Sequence, residues 1–352
     1  MIKQEIKIQN YSIGISKPVF VIAEIGVNHN GDLELAMKAI ESAKRAGADC
    51  VKFQTFKADQ IALQDAPKAA YQLRTTPQSE SQIQMLKKLE LPFEAYLEII
   101  KLCKKLNIIF LSTPYNYSDV DFLESLDVLA YKIASGQVIE LSFLEYVAKK
   151  KKPILLSTGM ATLAEVDTAV NTILKTGNDS LILLQCTTNY PSRLEDANLL
   201  AMKTMGQAFH SITGYSDHTQ SNTACIAAIA LGANVIEKHF TLDKTLPGPD
   251  HSTSANPAEF AELVKFIRET EKVLGTGIKL PSKVEIENSI GMRRSIVAST
   301  TINAGEVITN EMLTFKRPSS GINPSLIHQI LGRKARRNIH PDEMIDWDDI
   351  HR

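Results

Sequence analysis

The chain has 352 residues, 44% of them hydrophobic, which is enough for a substantial core and for one (β/α)₈ barrel of ~250 residues with a smaller appended domain. Its 39 basic and 40 acidic residues leave a formal charge of -1, which gives no electrostatic ground for a nucleic-acid or anionic-membrane partner. No apolar run approaches the ~18 residues of a membrane span, the N-terminal MIKQEIKIQN lacks a leader-like apolar stretch, and a cytoplasmic protein is expected.

Short strand-like runs recur along the chain. They are Val19–Ala23, Cys50–Phe53, Ile108–Ser112, Leu129–Ile133, Pro153–Ser157, Leu181–Cys186, Ser211–Tyr215 and Val235–Lys238. Most are continuously apolar, as strands covered on both faces should be. Amphipathic helical patterns lie between them. The first carries Leu33, Met37 and Ile40 at helical spacing and stops before Gly47; others occupy Glu94–Lys105, Ser118–Ser125, Leu163–Leu174, Gln220–Leu231 and Pro257–Leu274. Eight β/α repeats predict a closed (β/α)₈ TIM barrel over residues 1–275, with an open doubly wound sheet as the alternative. Gly275, Gly277 and Pro281 then break the rhythm, and Ser282 with Glu285 predicts a capping box on a short linker helix within 276–292. Residues 293–352 read as a small β-rich domain whose core is marginal alone.

The four cysteines, Cys50, Cys103, Cys186 and Cys225, form no CxxC pair and read as buried thiols. Lys149–Lys152 reads as a helix end, where cations suit the dipole, and Asp196 as a helix cap.

The strand ends are polar, and in a barrel they converge on one mouth. His218 follows the seventh strand and His239 the eighth. Neighbouring strands lie ~4.8 Å apart, so the pair either binds one Mn²⁺, Mg²⁺ or Zn²⁺ ion or serves as two structural hydrogen-bonding groups. Lys52 and Lys132, with Thr113, Ser135, Ser157 and Ser216, form a receptor for phosphate and carboxylate, unless the lysines only snorkel to the rim. Glu24 either exchanges protons with a sugar oxygen or makes a cap or salt bridge.

The strings AEIGVNHNGD (23–32), VKFQTFKAD (51–59), LSTPY (111–115), YKIASG (131–136), LSTGMAT (156–162), QCTTNYP (185–191), GYSDHT (214–219), IEKHFTLDKTLPGPDH (236–251) and RRSIVA…TFKRP (293–318) resemble the sialic acid synthase family, which includes N-acetylneuraminate, legionaminate and pseudaminate synthases. The resemblance runs from about residue 18 to the C-terminus. It implies a C-terminal antifreeze-like (SAF) domain and an enzyme that joins phosphoenolpyruvate to N-acetylmannosamine or a related N-acylated mannosamine, giving a nine-carbon 2-keto sugar acid. A 2,4-diacetamido-2,4,6-trideoxymannose acceptor, giving a legionaminate, is the alternative. His218 and His239 would hold a divalent metal, Mn²⁺ or Mg²⁺. Lys52, Thr113, Lys132, Ser135, Ser157 and Ser216 would surround phosphoenolpyruvate, while Glu24, Gln54, Tyr190 and Asp250 would face the amino sugar. In a domain-swapped homodimer, Arg317 would reach the sugar of the partner subunit.

Gln137 departs from the acidic residue that many members carry after the YKI-x-SG motif, and Thr188 replaces an asparagine of some relatives. Gln137 is expected at the sugar, where it can only hydrogen-bond. The competing readings are 3-deoxy-keto-sugar phosphate synthesis, which the C-terminal domain argues against, and a non-catalytic carbohydrate-binding protein, which the retained lysines and histidines argue against.

Overall fold

The computed structural model describes residues 1–351. The chain divides into two compact units, Met1–Gly275 and Thr276–Arg352.

The first unit begins with a hairpin, β1 (Glu5–Ile8) paired antiparallel with β2 (Tyr11–Gly14). Eight parallel strands follow: β3 (Phe20–Gly26), β4 (Cys50–Thr55), β5 (Ile109–Pro114), β6 (Tyr131–Ile133), β7 (Ile154–Ser157), β8 (Leu181–Cys186), β9 (Ile212–Asp217) and β10 (Val235–His239). Their order is β5-β4-β3-β10-β9-β8-β7-β6. The end strands β5 and β6 pack side by side, so the sheet is nearly closed into a barrel. The open doubly wound sheet is thereby excluded.

Side chains alternate between the two faces of each strand, and this alternation builds two cores. Outward residues such as Val21, Val51, Leu156 and Ile236 pack on the surrounding helices. Inward residues fill the barrel with layers: Phe20, Cys50, Ile109, Ile182 and Val235, then Ile22, Leu111, Leu155 and Leu184. Ile6, Ile8 and Ile13 of the hairpin join this interior cluster, and Tyr11 meets Phe20 edge-on with centroids 5.4 Å apart. The hairpin therefore floors the barrel at the strands' N-terminal ends. Gly214 belongs to the inward set because a Cβ there would come within 2.5 Å of the Val235 carbonyl oxygen and 2.7 Å of Leu184 Cδ2.

The expected helices are present, with Leu33–Arg45 capped by Asp32 and Pro257–Leu274 capped by Asn256. Two more, Leu141–Lys149 and Leu199–Phe209, complete the β/α alternation. Asp196 caps no helix; it sits in a single 3₁₀ turn and grips Arg193 through two 2.9 Å hydrogen bonds. Between β4 and β5 the chain adds short helices Ala58–Ile61, Ala70–Thr75 and Gln82–Lys88 before the long helix Phe93–Leu106. None of the described helices is long and apolar enough to cross a membrane.

In the second unit, helix Lys283–Met292 starts with the expected capping box: Ser282 accepts from the Glu285 N–H and the Glu285 carboxylate from the Ser282 N–H. Regular β structure amounts to β11 (Ser295–Ala298) paired with β12 (Leu313–Lys316), supplemented by isolated bridges such as Ile302 to Ile339. An isoleucine cluster, including Ile296, Ile302, Ile308, Ile330 and Ile339, supplies its core.

Candidate active site

Above the apolar layers, the next inward residue of seven of the eight strands is polar. Glu24, Lys52, Thr113, Lys132, Ser157, Ser216 and Glu237 surround a cavity of about 450 Å³ at the C-terminal mouth. The site is thus the last layer of the barrel, placed by the same alternation that built the core. A register shift between Glu24 and Gly26, where Gly26 has φ 57°, turns the end of β3. A Cβ on Gly26 would lie 3.1 Å from the Glu24 carboxylate and 3.3 Å from Gln54 Nε2.

The floor of the cavity is a buried ion network. Lys52 Nζ lies 2.8 Å from Glu24 Oε1 and 3.7 Å from Glu237 Oε1. Lys132 Nζ is 3.6 Å from the same Glu237 oxygen and donates to Ser157 Oγ at 2.7 Å. Ser216 donates to Glu237 Oε1 at 2.9 Å, and Lys52 donates to Thr113 at 3.3 Å. All four charged side chains are at most 5% exposed, so each depends on the others.

Burial pushes the Glu24 carboxyl up to about 7; Lys52 opposes this shift and Glu237 adds to it. Burial also acts against the Lys52 ammonium, but its two carboxylate neighbours prevail and hold its pKa above the ordinary value. For Lys132 burial prevails: its pKa falls, with Glu237 opposing. Glu237 ends below the ordinary carboxylate range because Lys132 and Lys52 outweigh its burial. At neutral pH, with Glu24 partly protonated, two ammonium groups face one full and one partial carboxylate charge. That balance suits an anionic ligand.

The wall is aromatic. The rings of His218 and His239 have centroids 5.3 Å apart, and Tyr190 packs on both at 4.1 and 5.4 Å. His218 donates through Nδ1 to the Thr187 carbonyl at 2.6 Å, which fixes its tautomer and leaves Nε2 as the acceptor. His239 is held neutral well below its usual pKa by burial and then by the surrounding cations, and its Nδ1 is buried without a partner. Two imidazoles, each with an open ring nitrogen, fit a divalent cation. No group of three or more His, Cys, Asp or Glu among the described residues forms a cage, so water or substrate oxygens would complete the coordination.

Most residues expected from the sequence line this cavity: Glu24, Lys52, Gln54, Thr113, Lys132, Ser135, Gln137, Ser157, Tyr190, Ser216, His218 and His239. Ser135 accepts from the Gly159 N–H at 3.0 Å. Gln137 is a staple as well as a wall residue. Its Nε2 donates to the Pro114 and Tyr115 carbonyls at 3.2 and 3.3 Å, and its Oε1 accepts from the Ala134 N–H. Asp250 lines an adjoining chamber rather than the main cavity, with Oδ2 3.9 Å from His239 Nδ1. Arg317 belongs to the second unit and is not part of the lining.

Sequence reasoning missed Glu237, Cys186, Tyr71 and Tyr115. Glu237 could have been found by counting back two residues from His239, because strand neighbours at that spacing share a face. Cys186 follows Ile182 and Leu184 by the same rule. Tyr71 lies on the β4–β5 excursion, which carries no strand pattern to anchor it.

Residues 39–279 match the NeuB family and residues 293–351 the SAF domain. The chain is 48% identical over 331 residues to an N,N'-diacetyllegionaminic acid synthase of Campylobacter jejuni, spanning 94% of this chain and 99% of that protein. It is 45% identical to the synthase of the same name from Legionella pneumophila, with 96% of each chain covered. Among solved structures, an N-acetylneuraminic acid synthetase from Leptospira borgpetersenii is 35% identical with a TM-score of 0.73, over 82% of this chain and 95% of that one. These matches span the barrel, its polar mouth and the small C-terminal unit, and on them the chain belongs to the NeuB family.

Proposed function

We propose that the protein is a nonulosonate synthase that condenses phosphoenolpyruvate with 2,4-diacetamido-2,4,6-trideoxymannose and water, releasing phosphate and N,N'-diacetyllegionaminate. The observation that carries the reaction class is the single cavity in which two ammonium groups, two imidazoles and a carboxyl of raised pKa converge. The acceptor rests on near-full-length similarity to two proteins named as legionaminic acid synthases. N-acetylmannosamine, which would give N-acetylneuraminate, is the second reading, favoured by the structural likeness to the Leptospira synthetase.

Phosphoenolpyruvate brings a phosphate and a carboxylate. Lys52 and Lys132 meet them at the cavity floor, with Ser157, Thr113, Ser216 and Ser135 supplying hydroxyls. Before the substrate arrives, Glu237 keeps the two lysines compensated, so no ammonium is buried alone. The acceptor lies above, against Tyr190 and Gln54. His218 and His239 would hold Mn²⁺ or Mg²⁺, whose contribution when bound is Lewis-acid polarisation of the acceptor's carbonyl oxygen. The methylene carbon of phosphoenolpyruvate bonds to the acceptor's carbonyl carbon, water adds at C2, and phosphate leaves with its bridging oxygen by C–O cleavage. Glu24 exchanges a proton with the acceptor oxygen through Oε2, which has no partner in the structure. Holding the two reactants in contact supplies much of the rate gain, up to about 7–11 kcal/mol in well-oriented systems. In a domain-swapped homodimer, Arg317 of one subunit would complete the other's acceptor site.

The test is phosphate release from phosphoenolpyruvate with each sugar and Mn²⁺, with the product identified by mass. Release with the diacetamido sugar is expected; none with either sugar sinks the proposal. His239→Ala should abolish turnover while leaving the melting temperature within a few degrees. Undiminished activity of the wild type after chelation and dialysis would refute the metal assignment.

A further inference from the structure

Beside the main cavity lies a second chamber of about 210 Å³, reached past Gln54, Tyr115 and His239, which line both. Its far wall is apolar, built by Val27, Phe56, Met85 and Leu89 with Leu86 and Tyr115 packed against them. The β4–β5 excursion supplies most of that wall and is tied across the mouth where Thr75 Oγ1 donates to the Pro249 carbonyl at 3.2 Å. Polar side chains, among them Gln54, Gln72, Gln82 and Asp250, complete the lining. Asp250 is 6% exposed, and its Oδ1 is buried with no hydrogen-bond partner. A buried acceptor without a donor is destabilising, and a ligand N–H would relieve it.

The chamber therefore asks for a group with an N–H donor at its base and a small apolar tip. A hydroxyl satisfies the first demand and not the second. The volume equals several waters of about 30 Å³ each, ample for an acetamido group. We infer that this chamber receives the C4 acylamino group of the acceptor sugar, its N–H donating to Asp250 Oδ1 and its methyl seated against Phe56, Met85 and Leu89. Leu86 limits the length of acyl chain admitted. This assignment rests on the diacetamido acceptor proposed above and adds where that acceptor is distinguished from one with a C4 hydroxyl.

The experiment compares 2,4-diacetamido-2,4,6-trideoxymannose, 2-acetamido-2,6-dideoxymannose with its C4 hydroxyl, and the C4 propanamido and butanamido homologues, all in the full-length protein with phosphoenolpyruvate and Mn²⁺. For the wild type, the C4 hydroxyl analogue should lose at least tenfold in kcat/KM. Leu86→Phe should cut kcat/KM at least tenfold for the diacetamido sugar and far less for the C4 hydroxyl analogue, with KM for phosphoenolpyruvate unchanged. Leu86→Ala should raise kcat/KM for the longer homologues relative to acetamido. Wild-type kcat/KM within twofold for the acetamido and hydroxyl sugars would overturn the inference while leaving the synthase reading intact, and that arm needs no variant to fold. Equal losses on both sugars in Leu86→Phe would also overturn it. Absence of phosphate release with every sugar would instead remove the synthase reading, and this inference with it.

Discussion

Glu237 is the residue on which the cavity's charge balance turns. Its Oε1 serves Lys52, Lys132 and Ser216 together. Glu237→Gln keeps the shape and removes the charge, leaving Lys132 without a carboxylate within ion-pair distance. Removing one partner of a buried ion pair costs about 3–5 kcal/mol, so the variant should unfold at clearly lower denaturant and bind phosphoenolpyruvate differently; a wild-type midpoint in urea would contradict the network. His29 makes a separate, pH-dependent prediction. It is buried, stacked on Phe53, and accepts at Nδ1 from the Gly31 N–H. Burial lowers its pKa to about 4, against ~6.5 in the unfolded chain. Its stabilising contribution is therefore complete above pH 6.5 and lost as pH falls toward 4. Between pH 7 and 5 the loss is about 2 kcal/mol. Urea midpoints at both pH values should fall less in His29→Asn than in the wild type, and parallel falls would refute this.

At the scale of elements, Gln137 and Gly214 show how local geometry restricts residue choice. Gln137 donates its amide N–H groups to the carbonyls that end β5. A carboxylate cannot donate, so Gln137→Glu should leave those carbonyls unpaired and lower stability by about 1–3 kcal/mol; an unchanged melting temperature would show that the staple is dispensable. Gly214→Ala forces a methyl into the Val235 backbone and Leu184, an overpacking that typically costs about 1–3 kcal/mol. Strand and helix identity were largely legible, because long apolar runs and Leu33-type periodicity are local signals. The hairpin β1–β2 was not: four-residue strands with Ile6, Ile8 and Ile13 leave too short an alternation. The polar ends of the strands marked the mouth, yet attention to the final residue of each run passed over Glu237, one turn of the alternation deeper. The excursion from Phe56 to Leu89 had no period to read, and its tyrosine and leucine contributions appear only once β4 and β5 are neighbours.

For the whole molecule, the two units have separate cores: the barrel's layered interior and the isoleucine cluster of residues 296–350. Between them, Ile278 and Leu280 are 71% exposed. Brief trypsin treatment should therefore cut first near Lys279 and release a barrel fragment ending there, which intact-mass measurement would show; a first cut within either core would contradict it. That a barrel should carry a distinct C-terminal unit was legible from the break at Gly275–Pro281. The small unit's sparse regular structure was not, because its order comes from isolated bridges and packed isoleucines rather than from paired strands.

The β1–β2 hairpin has a kinetic corollary. With its lower end stoppered by Ile6, Ile8 and Ile13, the barrel is a blind well, and everything that reaches Lys52 and Lys132 must pass the level of Tyr190 and leave the same way. Whatever occupies the bottom has to arrive before, and depart after, whatever sits at the top. With the reactants placed as proposed above, traffic through one opening would impose sequence on them without any moving part: phosphoenolpyruvate first, sugar second.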